Sequence, residues 1–158
     1  MKVLIIPDSF KGSLKATEVA LEMKKAVTDI FPNAICNLMP FSDGGEGALN
    51  VLENHADGKI IHCAATDSLK RNLIAPLFLF KNTQSAWIEL SQTAGLVQLK
   101  KEERNPLKTS TWGTGMMIRH AINQGCKTIY LGIGGSATHD VGTGIISALG
   151  GKFYDVNN

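Results

Sequence analysis

Two rhythms of apolar residues alternate along this chain: short unbroken runs, and longer stretches in which apolar side chains return every third or fourth position. The first run, Val3-Leu4-Ile5-Ile6, is closed by Pro7 and predicts a strand over residues 2–6 that is buried on both faces. Val19, Ala20, Met23, Ala26, Val27 and Ile30 then share one face of a helix, with Ser13 or Thr17 as N-cap and Pro32 as the stop. A second cycle follows: a strand over 34–39, a loop Asp43-Gly44-Gly45-Glu46-Gly47, and a helix through Ala48, Leu49, Leu52 and Ala56. Residues 59–65 read as a third strand.

The rhythm changes in the middle. Residues 73–80 and 85–90 are rich in strand formers and are separated by Lys81-Asn82-Thr83-Gln84, which predicts a hairpin; Pro76 restricts its first strand to an edge or a bulge. Beyond the polar stretch 100–108, the strand–helix order returns as a helix over 113–124 stopped by Gly125, a strand over 127–133 and a last helix over 142–149. The expected fold class is α/β, a largely parallel sheet with flanking helices and a small antiparallel β inset. It divides into a first α/β segment (1–66), a β-rich inset or start of a second domain (67–107), and an α/β segment with a glycine-rich loop (108–158).

Composition narrows the class. A chain of 158 residues can bury a real core, and its formal net charge of +2 is too small to imply nucleic acid. The dense cluster Lys100-Lys101-Glu102-Glu103-Arg104 is mixed in sign and reads as a solvated turn or helix end. No apolar run approaches the roughly 20 residues that span a bilayer, and residues 1–7 are too short for a signal peptide, so no membrane partner and a cytoplasmic location are expected. Cys36, Cys63 and Cys126 are odd in number and set among apolar neighbours, which predicts reduced, buried thiols rather than disulfides or a zinc site.

In open parallel sheets ligands gather outside the carboxyl ends of the strands, where loop amides and helix N-termini converge. Three loops are expected there: Asp8-Ser9-Phe10-Lys11-Gly12-Ser13, residues 42–47, and Gly132-Ile133-Gly134-Gly135-Ser136-Ala137-Thr138-His139-Asp140. Loops of glycines, hydroxyls and carboxylates can surround a phosphate with backbone N–H groups. Each glycine could equally serve only to turn the chain, and Asp8, Asp43 and Asp140 could each hold Mg²⁺ or merely cap a helix. Lys11 could neutralise a phosphate or a substrate carboxylate, or be an ordinary surface lysine. The pattern points to phosphoryl transfer.

The Walker A sequence is absent, so an ATP cradle would be of another kind. Residues 132–137 satisfy G-x-G-x-x-A after a strand, with Asp155 in the strand-like run 152–156, the outline of a NAD(P)-dependent oxidoreductase domain. The glycines that follow Thr138 argue for a long loop instead of the helix that this motif needs. Ser136, His139 and Asp140 lie too close in sequence for a hydrolytic triad, whose members come from separate elements.

Five motifs in succession, 7–14, 43–47, Thr93-Ala94-Gly95-Leu96, Thr109-Ser110-Thr111-Trp112-Gly113-Thr114-Gly115 and 132–138, resemble those of the bacterial glycerate kinase type-1 family, in that family's order. The resemblance implies a kinase that uses ATP and Mg²⁺ to phosphorylate D-glycerate to 2- or 3-phosphoglycerate in a cleft between two α/β domains. It implies catalytic roles for Asp8, Lys11 and Asp43, and binding of substrate or ATP by Ser9, Gly44, Gly45, Gly134, Gly135, Ser136, Thr138 and Asp140. Family members run to well over twice this length, so the sequence reads as the N-terminal part of such an enzyme, with a non-catalytic fragment as an alternative. His139-Asp140-Val141-Gly142 replaces the family's usual asparagine-acid-glycine order. Metal ligands and oligomeric state are left open.

Overall fold

The structure, a computed structural model, describes residues 1–10 and 12–156. Strands β1 (Lys2–Ile5) and β2 (Ile35–Leu38) pair in parallel, and helix α1 (Ala16–Ile30) connects them. The helix buries Ala16, Val19 and Ala20 on the side that meets the strands. Neither Ser13 nor Thr17 is its N-cap. The cap is Lys15, whose N–H donates to Oε2 of Glu18 at 2.8 Å, so a carboxylate one turn inside the helix replaces a capping hydroxyl. Strand β1 is not buried on both faces either, since Leu4 remains 58% exposed. The two strands stand by themselves as a sheet, with α1 on one face only.

Helix α2 (Ala48–His55) leads to a second sheet made of β3 (Gly58–Thr66), β4 (Asn72–Phe80), β5 (Ser85–Glu89) and β6 (Thr128–Gly132), in that order. The segment read as a third parallel strand is β3, and it runs antiparallel to β4 along its whole length. The reason is the turn between them. Asp67 Oδ1 accepts the N–H groups of Leu69 and Arg71, both at 2.9 Å, and Lys70 takes φ of 67°, which folds the chain straight back. Pro76 lies inside β4 opposite His62 of β3, but β5 pairs only with Phe78 and Leu79. On that flank Pro76 therefore stands at an edge, where a missing N–H breaks no ladder. The hairpin from β4 to β5 forms where expected, and β5–β6 is parallel.

Cys63, Ala65, Ala75, Leu77, Ala86 and Ile88 line one face of this sheet, against Met117 and Ala121 of α4 (Trp112–Asn123). Small residues on the strands and helix let the two layers approach closely. Helix α5 (Thr143–Ala148) packs on α4, where Gly115 meets Ile145 and Ala148. The short helix α3 (Ser91–Ala94) and two single 3₁₀ turns occupy the middle stretch, where the pattern shows no period. Residues 152–156 form no strand, and the chain beyond Gly135 reaches a helix only at Thr143. Both observations remove the geometry of a dinucleotide fingerprint. Among the described residues no helix is long and apolar enough to cross a membrane.

Candidate functional site

Three loops meet at the carboxyl ends of β1, β2 and β6. The first two run side by side: the Phe41 N–H donates to the Pro7 carbonyl at 2.9 Å, and the Asp43 N–H points at Oδ2 of Asp8 at 3.4 Å. Each aspartate also shapes its own turn. Asp8 Oδ1 accepts the Ser9 N–H at 2.6 Å, and Asp43 Oδ1 accepts the Gly45 N–H at 2.8 Å, while Gly44 takes φ of 86°. Both carboxylates stay exposed. Lys11 lies outside the described residues.

The third loop is pressed against the second, backbone on backbone. A methyl placed on Gly134 would come within 2.5 Å of the Gly45 Cα, and one on Gly132 would meet the Gly44 carbonyl and the Trp87 indole. Only glycine permits that approach. Farther along, the Ala137 N–H donates to the Ala94 carbonyl at 2.7 Å and the Leu96 N–H to the Gly135 carbonyl at 2.9 Å, which fixes the loop to the α3 segment. The Ser136 and Thr138 hydroxyls lie 2.8 Å apart, and the Thr138 N–H donates to Ser136 Oγ at 3.1 Å. Asp8, Ser9, Asp43, Gly44, Gly45 and Gly134 are thus contiguous, with Gly135, Ser136 and Thr138 extending the same ridge.

Beneath this ridge lies Glu89, at the end of β5 and fully buried. Its Oε1 accepts from the Gly47 N–H (2.8 Å) and the Ser91 hydroxyl (2.9 Å), and its Oε2 from the Leu49 N–H (3.1 Å). A buried carboxylate persists only when its lone pairs are occupied in this way. Gln92, which also reaches Glu89, borders an open cleft of about 300 Å³ together with Ser9, Phe10, Thr17, Gly47 and Asn50. The family model for the glycerate kinase family matches residues 3–158. The chain belongs to the glycerate kinase family.

Relatives within it include a glycerate kinase of Bacillus cereus (strain ATCC 10987 / NRS 248), 42% identical over 155 residues, and the glycerate 2-kinase of Escherichia coli (strain K12), 40% identical over 157. These matches cover 98% and 99% of this chain but 41% of either relative. A crystal structure described as a glycerate kinase 2, from Salmonella typhimurium LT2, superposes with a TM-score of 0.75 at 42% identity, covering 94% of this chain and 40% of that one.

In this glycerate kinase family chain, Asp140 stands apart from the ridge. Its Oδ2 accepts the N–H and hydroxyl of Thr111 (2.8 and 2.9 Å) and the Gly144 N–H (3.1 Å), and its Oδ1 accepts the Gly142 N–H (3.2 Å). Burial pushes its carboxyl upward, but the Thr111, Gly144 and Gly142 donors outweigh that and hold it below the usual aspartate range. The side chain joins the start of α4 to the start of α5, beside a shallow groove of about 560 Å³ that Lys70, Trp112 and Phe153 also border. Glu89 belongs to none of the five motifs, although it accepts the Gly47 and Leu49 amides. Its one local signal is an acid closing an otherwise apolar strand before Ser91-Gln92-Thr93.

Among the described residues no three acids, histidines or cysteines cluster as a metal cage. Mg²⁺, however, is commonly held by one or two carboxylates plus substrate phosphates and water. Asp8 and Asp43, exposed and adjacent, have the chemistry that such a site needs.

Proposed function

We propose that this chain supplies the acidic and glycine-rich loops of an ATP-dependent glycerate kinase, transferring the γ-phosphoryl group to a hydroxyl of D-glycerate. One observation supports the reading above the others: the 43–47 and 132–138 loops touch through bare glycine backbone beside Asp8 and Asp43. Amides of Gly134, Gly135 and Ser136, with the Thr138 hydroxyl, would hold phosphate oxygens on that ridge. Lys11 would meet the glycerate carboxylate or the transferring phosphoryl group. Either Asp8 or Asp43 would accept the proton that the attacking hydroxyl loses, and the other would hold Mg²⁺. The metal, when bound, neutralises charge on the phosphates. Little else is asked of the protein, because such transfers depend mainly on positioning and charge stabilisation. Asp140 would act on the ridge only through the loop that it anchors. Free thiols at Cys36, Cys63 and Cys126 suit a cytoplasmic enzyme.

A coupled ADP-release assay with D-glycerate and Mg²⁺ tests the proposal, run on this chain alone and within a full-length family chain that carries its sequence. Lys11→Met in the latter is expected to lower kcat/KM about 100-fold, or roughly 2.7 kcal/mol of transition-state binding. Turnover that ignores both Lys11→Met and Asp43→Asn would remove these loops from the chemistry.

A further inference from the structure

We propose that Gln92 recognises the hydroxyl of D-glycerate that is not phosphorylated, accepting a hydrogen bond from it at Oε1, with Glu89 as the positioning residue that fixes the amide. An amide side chain donates at one end and accepts at the other, so its role depends on which end is already committed. Glu89 commits it. That carboxylate receives the Gly47 and Leu49 N–H groups and the Ser91 hydroxyl, and Gln92 Nε2 joins them at 3.3 Å from Oε1. Every partner of this carboxylate is a donor, so only the nitrogen of the Gln92 amide can face it. The oxygen is left over. Gln98 Nε2 takes the main-chain carbonyl of Gln92, at 2.8 Å, and among the described residues nothing donates to the side-chain oxygen. The residue that carries this spare acceptor borders the cleft of about 300 Å³.

Gln92 is also tied to the third loop. It lies on α3, where the Leu90 N–H donates to the Gly132 carbonyl at 2.9 Å on one side of it and the Ala94 carbonyl accepts the Ala137 N–H at 2.7 Å on the other. The same cleft is lined by Ser9, next to Asp8, and by Gly47, at the end of the 43–47 loop. Ser13, Thr17 and Asn50 add neutral polar groups to the lining. A short acid with two hydroxyls suits such a site, since one hydroxyl can face the acidic loops while the other donates to Gln92. An acid with a single hydroxyl leaves one of those places unfilled, and a site built to hydrogen-bond a ligand group discriminates against the ligand that lacks it. This assignment rests on the reading of the chain as part of a D-glycerate kinase, and adds to it the group that selects a dihydroxy acid.

The test is a cycle of residue against ligand hydroxyl, read as affinity by titration calorimetry on a full-length family chain that carries this sequence. D-Glycerate is compared with D-lactate, which lacks the terminal hydroxyl, and with 3-hydroxypropanoate, which lacks the hydroxyl beside the carboxylate. In the parent, loss of the recognised hydroxyl is expected to weaken binding about 10-fold. In Gln92→Leu, D-glycerate should bind about 10-fold more weakly, and the analogue without that hydroxyl no worse than before, a coupling of about 10-fold. Gln92→Met, unbranched and of similar length, is the second variant should leucine disturb α3. Glu89→Gln, which lets either end of the Gln92 amide face the cleft, is expected to reduce the coupling; an unchanged value overturns its positioning role. Coupling absent with both analogues in both Gln92 variants, or no binding of D-glycerate to the parent, overturns the assignment. ADP release by the parent keeps the two readings apart: release without coupling strikes Gln92 alone, and coupling without release strikes the kinase reading alone.

Discussion

A side chain on Gly134 has nowhere to go, because the Gly45 backbone already fills the place where it would begin. Gly134→Ala is therefore expected to part the two loops, costing about 1–3 kcal/mol in chemical denaturation, and, with the ridge holding phosphate as proposed, to weaken ATP binding, which Gly150→Ala, a substitution strained by its φ of 97° but outside both loops, should leave unchanged. Asp140 gives a pH signature. Its folded pKa lies below the ordinary aspartate value of about 3.9, so its stabilisation is complete above that value and is lost as the pH falls through the lowered one. Asp140→Asn should cost about 1 kcal/mol at neutral pH, since its hydrogen bonds are only part-buried and solvent screens them. The difference from the parent chain should shrink in urea melts taken below about pH 4. The glycines and acids of the ridge are legible in the sequence because turn chemistry is local. Glu89 is not, since its backbone donors, Gly47 and Leu49, lie 42 and 40 positions earlier and only the fold brings them to it.

Among the elements, helix α2 depends most visibly on a residue outside itself. It begins after Gly47 in a left-handed conformation with no side-chain cap of its own, and Glu89 takes over that function from β5. Glu89→Ala should leave the Gly47 and Leu49 amides without acceptors, costing at least about 2 kcal/mol. Hydrogen exchange should accelerate at these two amides before it does in α4. Helices α1, α2, α4 and α5 are all readable from apolar periodicity, because each buries a single stripe. The direction of β3 is not, for strand periodicity is the same in parallel and antiparallel sheets. What decides it is the Asp67 turn, whose local signal, Asp67-Ser68, lies in a segment without glycine or proline where Lys70 takes the left-handed conformation.

For the molecule as a whole, the four-stranded sheet with α4 forms the main core, while β1, β2 and α1 make a thinner layer that leaves apolar surface uncovered. The composition of β1 is that of a strand covered on both faces, yet Leu4 is exposed; composition records what a strand needs, not whether the packing around it supplies it. The three thiols should report the two layers separately. Cys63 sits in the main core, and burial pushes its thiol up, as it does that of Cys126. In timed labelling with a thiol reagent, Cys36 on β2 is expected to react first and Cys63 only at the rate of global unfolding. Equal labelling of Cys36 and Cys63 would mean that the layers open together.

Trp87 gives the chain an optical gauge. Its indole rests against the Gly44 and Gly132 backbones, at the seam where the second and third loops join. Anything wedged into that seam must change the surroundings of the ring, so with Trp112→Phe removing the other indole, the emission colour of the remaining fluorophore reads the gap between the loops directly, with no label attached.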